Sequence, residues 1–171
     1  MKNKDIKKEF ERVRDIPYRI AMSPDEPSDD CLGKAQRLFE IFEDYGYEVR
    51  YRVCKIKWSS LDLPQEVTQM PHDDDCSHTY LEVKIGEQWK VVDATWDSQL
   101  KRFFPINEWG EEKDDEIAIP CLGCMSPQKS VEHIERITTK EAILSDLEES
   151  GEFYHALNEW LEKCRNDGDN L

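Results

Sequence analysis

The sequence predicts an α+β fold in which a core helix is followed by an antiparallel sheet and closed by C-terminal helices. Three observations carry this expectation. Leu32, Ala35, Leu38, Phe39, Phe42 and Tyr45 recur at helical spacing and form one apolar stripe. From Tyr47 to Trp58 the pattern becomes alternating, with Val49, Tyr51 and Val53 on one side and Arg50 and Arg52 on the other, as in a half-buried strand. His78 to Ile85 and Gln88 to Thr95 then read as two strands joined across Gly86-Glu87, a two-residue hairpin turn.

The remaining elements follow in order. Ile6, Phe10 and Val13 mark a short amphipathic helix over roughly residues 4 to 14. Ile16-Pro17-Tyr18 leaves it, and a loop rich in Ser, Pro and Asp runs from Met22 to Asp30. Asp29 or Asp30 can cap the start of the core helix, and Gly46 sits where a C-terminal glycine belongs. Residues 59 to 77 form a long loop containing the acidic run Asp73-Asp74-Asp75. Long loops inside compact domains are often functional. Residues 98 to 136 show no clear period. Thr138 to Glu141 reads as a capping box opening a helix, and Phe153, Leu157, Trp160, Leu161 and Cys164 mark a final helix. With no internal repeat or low-complexity linker, a single domain over residues 1–171 is expected.

Composition narrows the function classes. Five Trp, six Tyr and six Phe supply large core pieces, so the chain should fold despite being 36% charged. Net charge is −15, from 38 acidic against 23 basic residues, and no basic face is available to replace phosphate counterions. Nucleic acid is therefore set aside as a partner. No polybasic segment favours anionic lipid, and no apolar run is long enough for a membrane span. The opening MKNKDIKKEF lacks the apolar stretch of a secretory signal, so a cytoplasmic protein with reduced cysteines is expected. Oligomeric state is not legible.

The chemistry centres on Cys31. It lies in the first turn of the core helix, where free amides and the positive end of the dipole favour thiolate. Asp29 and Asp30 act in the opposite direction. The hairpin supplies a second argument. If Ile85 pairs with Gln88, Tyr80 faces Asp93 and His78 faces Thr95. His78 and Asp93 then share a face, offset by two residues and within side-chain reach. A carboxylate bonded to one imidazole nitrogen fixes the tautomer and leaves the other nitrogen as a base.

Three blocks in this order resemble a known family. Asp30-Cys31-Leu32-Gly33-Lys34-Ala35 leads through a helix into Gly46-Tyr47-Glu48-Val49-Arg50, His78-Thr79-Tyr80-Leu81-Glu82-Val83 opens a strand, and Trp89-Lys90-Val91-Val92-Asp93-Ala94-Thr95 forms the next. The set is similar to the transglutaminase-like domain, within the wider papain-like cysteine protease fold, over roughly residues 15 to 97. The resemblance implies thiol-dependent acyl transfer or amide hydrolysis through a thioester. Cys31 would be nucleophile, His78 general base and later acid, and Asp93 its orienter, with the Cys31 N–H in the oxyanion hole. It implies a protein or peptide substrate, as glutamine side chain or peptide amide, an amine or water acceptor, and no cofactor. The chain departs from common family patterns at Asp29, Leu32 and Tyr80, which argues against a calcium-dependent animal-type enzyme. The alternative is a catalytically silent binding or scaffold module on the same fold.

Other residues have weaker readings. Trp58, Tyr80, Trp96 and Trp109 are candidates for the substrate cleft, against ordinary core duty. Cys121-Leu122-Gly123-Cys124 is a Cys-x-x-Cys pair, but zinc needs further ligands, and His133, His155 and Cys164 are the distant choices. A small-residue loop turn is the commoner explanation. Cys54 and Cys164 read as packing residues, Lys34 as a solvated helix residue, and His72 to His78 as an acidic loop able to attract cationic groups.

Overall fold

A computed structural model describes residues 2–113 and 115–168. Met1, Asp114 and residues 169–171, which the expected single domain includes, lie outside the described residues. The order of elements is α1 (Lys2–Arg14), α2 (Cys31–Asp44), β1 (Val49–Lys57), α3 (Gln65–Thr68), β2 (Asp75–Ile85), β3 (Gln88–Val92), β4 (Gly123–Cys124), α4 (Pro127–Ile137) and α5 (Lys140–Gly168). Single 3₁₀ turns lie at Trp58–Ser60 and Ser98–Leu100. The architecture is α+β. The strands form one antiparallel sheet in the order β3-β2-β1-β4.

The sheet divides two apolar clusters because its side chains alternate. Leu81 and Val83 of β2 join Val92 and the stripe Ala35, Leu38 and Phe42 of α2, with Ile6, Phe10 and Val13 of α1 added behind. Cys54 and Ile56 of β1 and Tyr80 of β2 point to the other cluster. There α5 contributes Phe153, Leu157, Leu161 and Cys164. Each large aliphatic or aromatic side chain buried this way contributes roughly 1.5–3 kcal/mol.

The hairpin has the expected register. Ile85 pairs with Gln88 and the ladder runs to Leu81 opposite Val92, with Gly86 at φ +60° in the turn. β3 stops at Val92, so Asp93 leaves the ladder and its carboxylate is free to turn toward β2. Gly46, at φ +84°, follows the end of α2 as expected.

Several boundaries differ from the sequence reading. The loop over 59 to 77 contains α3, and β2 begins at Asp75, inside the acidic run. The stretch from 98 to 136 contains β4, which is too short to show a period, and α4, whose Val131, Ile134 and Ile137 do recur near helical spacing and were legible as a helix. The two C-terminal helical signals belong to one helix, α5, which continues through Gly151 because its apolar face stays buried. Its first turn is capped by Thr139, whose Oγ1 accepts from Ala142 N–H at 3.2 Å, while the Thr138 hydroxyl donates back to Ile134 O of α4.

Candidate active site

The first turn of α2 places Cys31. Asp30 is extended and its side chain accepts from Gly33 N–H at 2.9 Å, so the helix begins at Cys31. Of the two aspartates able to cap, Asp30 does so, and Asp29 pairs with Arg37 at 2.7 Å. Gly33 permits the preceding chain to pack directly on this turn. A Cβ there would lie 2.0 Å from Ser28 O. Cys31 is half-buried and opens onto a cleft.

His78 and Asp93 come together as the hairpin register predicts. His78 Nε2 lies 2.7 Å from Asp93 Oδ2, and both residues are buried. Asp93 is held from every side. Its Oδ1 accepts from Thr95 N–H at 3.1 Å and Thr95 Oγ1–H at 2.6 Å, and its Oδ2 also accepts from Ala118 N–H at 2.8 Å. Asn107 Nδ2 donates to Asp93 O and Glu116 O, tying the two loops together. His78 Nδ1 is buried without a hydrogen-bond partner, and the Cys31 thiol is the further group with which the imidazole interacts. Catalytic hydrogen bonds are often loose before substrate binds.

The electrostatics follow from burial and partners. Burial disfavours the His78 imidazolium, but the Asp93 charge and hydrogen bond outweigh it and push the imidazole up to about 10. Asp93 is opposed by its own burial, yet His78 and the donors from Ala118 and Thr95 hold it below the usual carboxylate range. Burial raises the Cys31 thiol, His78 pulls it back down, and Asp30 pushes it up. The balance at the thiol is therefore set by whether His78 carries its proton.

The cleft beside Cys31 has a volume of about 830 Å³. Leu32, Trp58, Cys76, His78 and Tyr154 form part of its wall. Six acidic residues also line it, Glu26, Asp30, Asp73, Asp75, Asp146 and Glu149, against two cations, Lys55 and Arg136. Part of the charge in and beside the cleft is used structurally. Asp75 pairs with Lys57 at 2.7 Å, while Asp74 accepts from Ser59 N–H at 2.7 Å and Ser59 Oγ–H at 2.8 Å.

The weaker site residues separate clearly. Trp58 does line the cleft. Trp96 does not: it stacks on Phe104 with centroids 3.9 Å apart and donates to Ala118 O, so its work is to fix the loop that reaches Asp93. Tyr80 is turned away from the cleft, with its hydroxyl 3.3 Å from Cys124 Sγ. Trp109 packs edge-on against Phe42 on the other side of the sheet. His72 stacks on Phe153 and donates from Nδ1 to Met70 O, a structural role.

One residue is corrected outright. Lys34 is fully buried, not solvated, and its ammonium donates to Arg14 O at 2.7 Å and Thr95 O at 3.0 Å. Lys34 thus ties the helix that carries Cys31 to the end of α1 and to the loop that carries Asp93. Burial lowers its pKa to about 8, against opposing attraction from Asp97. Cys54 is a buried core residue as expected, and its sulfur also gathers with those of Cys121 and Cys124. The distant zinc ligands are elsewhere: His133 bonds Ser77 Oγ, His155 faces Glu159, and Cys164 is buried among α5 core residues.

The sequence reading missed Thr95, Ala118 and Asn107. Thr95 was detectable as an Asp-x-Thr pattern at a strand end; Ala118 acts through its backbone amide and leaves no side-chain signal. Comparison with family models, curated proteins and solved structures found no match.

Proposed function

We propose that this protein carries out thiol-dependent acyl transfer or amide hydrolysis through a thioester on Cys31, in the manner of transglutaminase-like and papain-like enzymes. The observation that carries the reading is the buried His78–Asp93 pair at 2.7 Å, with the second imidazole nitrogen free of other partners and coupled to Cys31.

The steps follow from the groups present. With the Cys31 proton already on His78 Nδ1, the thiolate attacks the acyl carbon, and Asp93 stabilises the imidazolium. The Cys31 N–H, first amide of α2, donates to the oxyanion. His78 returns the proton to the departing amine, leaving a thioester. An amine or water then enters, gives its proton to His78, and releases the acyl group with the thiol restored.

The acidic cleft supports a protein or peptide partner that presents amine or other cationic groups, because a negative wall raises their local concentration. The test is covalent trapping. Cys31 should label with a chloroacetamide and with activated glutamine or peptide acyl donors faster than a free cysteine peptide at neutral pH, as read by intact and peptide mass spectrometry. Equal or slower labelling, together with no turnover lost in Cys31→Ala, would favour the silent binding module instead.

A further inference from the structure

We propose that Cys54, Cys121 and Cys124 form a three-thiolate binding site for a thiophilic d¹⁰ cation, Zn²⁺ or Cu⁺. Their sulfurs all lie within 4.8 Å of one another, and those of Cys121 and Cys124 are 3.3 Å apart. Zinc–sulfur bonds of about 2.3 Å place tetrahedral ligands about 3.8 Å from each other, so small side-chain rotations suffice. Soft thiolates select Zn²⁺ and Cu⁺ over harder cations.

The backbone assembles this cluster without needing the ion. Cys54 lies opposite Cys124 where β1 pairs with β4. Leu122 N–H donates to Lys55 O at 2.9 Å and Met125 N–H to Val53 O at 2.8 Å, so the turn carrying Cys121 and Cys124 is stitched to β1 from both ends. Gly123, between them, has open space around it. The surroundings suit three thiolates. The Tyr80 hydroxyl lies 3.3 Å from Cys124 Sγ, able to donate to a bound thiolate. The Arg52 guanidinium adds positive charge beside Cys124. Cys121 and Cys124 are exposed, which gives the ion an entry path and leaves the fourth position open to water.

Packing does not explain the arrangement. Burial accounts for Cys54 alone, whereas an exposed Cys-x-x-Cys pair buries little sulfur. The cluster is separate from Cys31, yet Cys54 stands directly opposite His78 in the β1–β2 ladder.

The experiment is a metal titration of the full chain, reduced and stripped with chelator. Cd²⁺ reports through its thiolate charge-transfer absorption, and Zn²⁺ and Cu⁺ are tested for displacing it. One ion per chain is expected, with stronger competition from whichever cation the site takes. Cys121→Ser and Cys124→Ser, at exposed positions that keep the fold, should each weaken binding beyond the roughly 10–100-fold typical of losing an outer partner. Cys31→Ala should bind as the parent does, which separates this site from the proposed nucleophile. No stoichiometric ion, or binding that survives Cys121→Ser, overturns the proposal. So does a Cys121–Cys124 disulfide that persists in thiol reductant and excludes Cd²⁺.

Discussion

A single thiol, Cys31, and a cluster of three, Cys54, Cys121 and Cys124, lie near His78 in different surroundings. Cys31 is a single half-buried thiol at a helix start, coupled to an imidazole whose pKa a fully bonded carboxylate raises. Cys54, across the ladder from the same histidine, gathers with two further thiols, one of which, Cys124, meets the Tyr80 hydroxyl. Burial and its neighbouring sulfurs push the Cys54 thiol up. The contrast teaches that the partner decides what a cysteine does. A base backed by a carboxylate prepares one sulfur to form a bond with carbon. A ring of sulfurs needs a positive ion before all can ionise.

The largest expected effects break the first site. Cys31→Ala should abolish acyl-adduct formation, and His78→Ala should slow labelling by roughly 10²–10⁴-fold, the usual worth of a positioned base. Asp93→Asn keeps the shape but removes the charge that orients and protonates His78. Activity should fall by about 10⁴-fold, as loss of a triad carboxylate does elsewhere, in a pH–rate profile with a displaced limb.

Stability provides the next test. The folded pKa of His78 is raised from 6.5 to about 10, so its contribution is complete below about 6.5 and is lost as pH rises through about 10. Asp93 is depressed from 3.8, so its contribution is present above that value and is lost as pH falls through its folded pKa. The stability gap between the parent and Asp93→Asn, measured by urea unfolding, should therefore be widest between about pH 4 and 6.5, at about 3–5 kcal/mol, and narrow toward pH 10. A gap independent of pH would show that Asp93 acts through packing alone.

Smaller effects concern the supports. Gly33→Ala forces a methyl into Ser28 O and should cost about 1–3 kcal/mol in denaturant unfolding. It should also slow Cys31 labelling, because the turn carrying the thiol must shift. Lys34→Met leaves Arg14 O and Thr95 O without their donor, about 1–3 kcal/mol. Part of this is offset by removing an ammonium whose pKa burial has lowered to about 8. The smallest effect belongs to the acidic run. Replacing Asp73, Asp74 and Asp75 by Asn should flatten the salt dependence of labelling by a cationic reagent, with a change of under about tenfold.

Much of this was legible in the chain itself. Periodicity determined α2 and β1, the glycine turn determined the β2–β3 register, and that register brought His78 to Asp93. These are local rules, read over a few residues. What only the tertiary structure decided has a common physical cause: it depends on groups distant in sequence meeting across the sheet. Lys34 is buried because two orphan carbonyls, 20 and 61 positions away, converge on it. Ala118 matters through an amide that every residue has. Cys54 read as a core residue alone because its partners, Cys121 and Cys124, arrive on a two-residue strand too short to announce itself. Local pattern determined where Cys31 and His78 stand, while long-range hydrogen bonding and strand pairing decided their electrostatic surroundings and brought the second cluster of sulfur together.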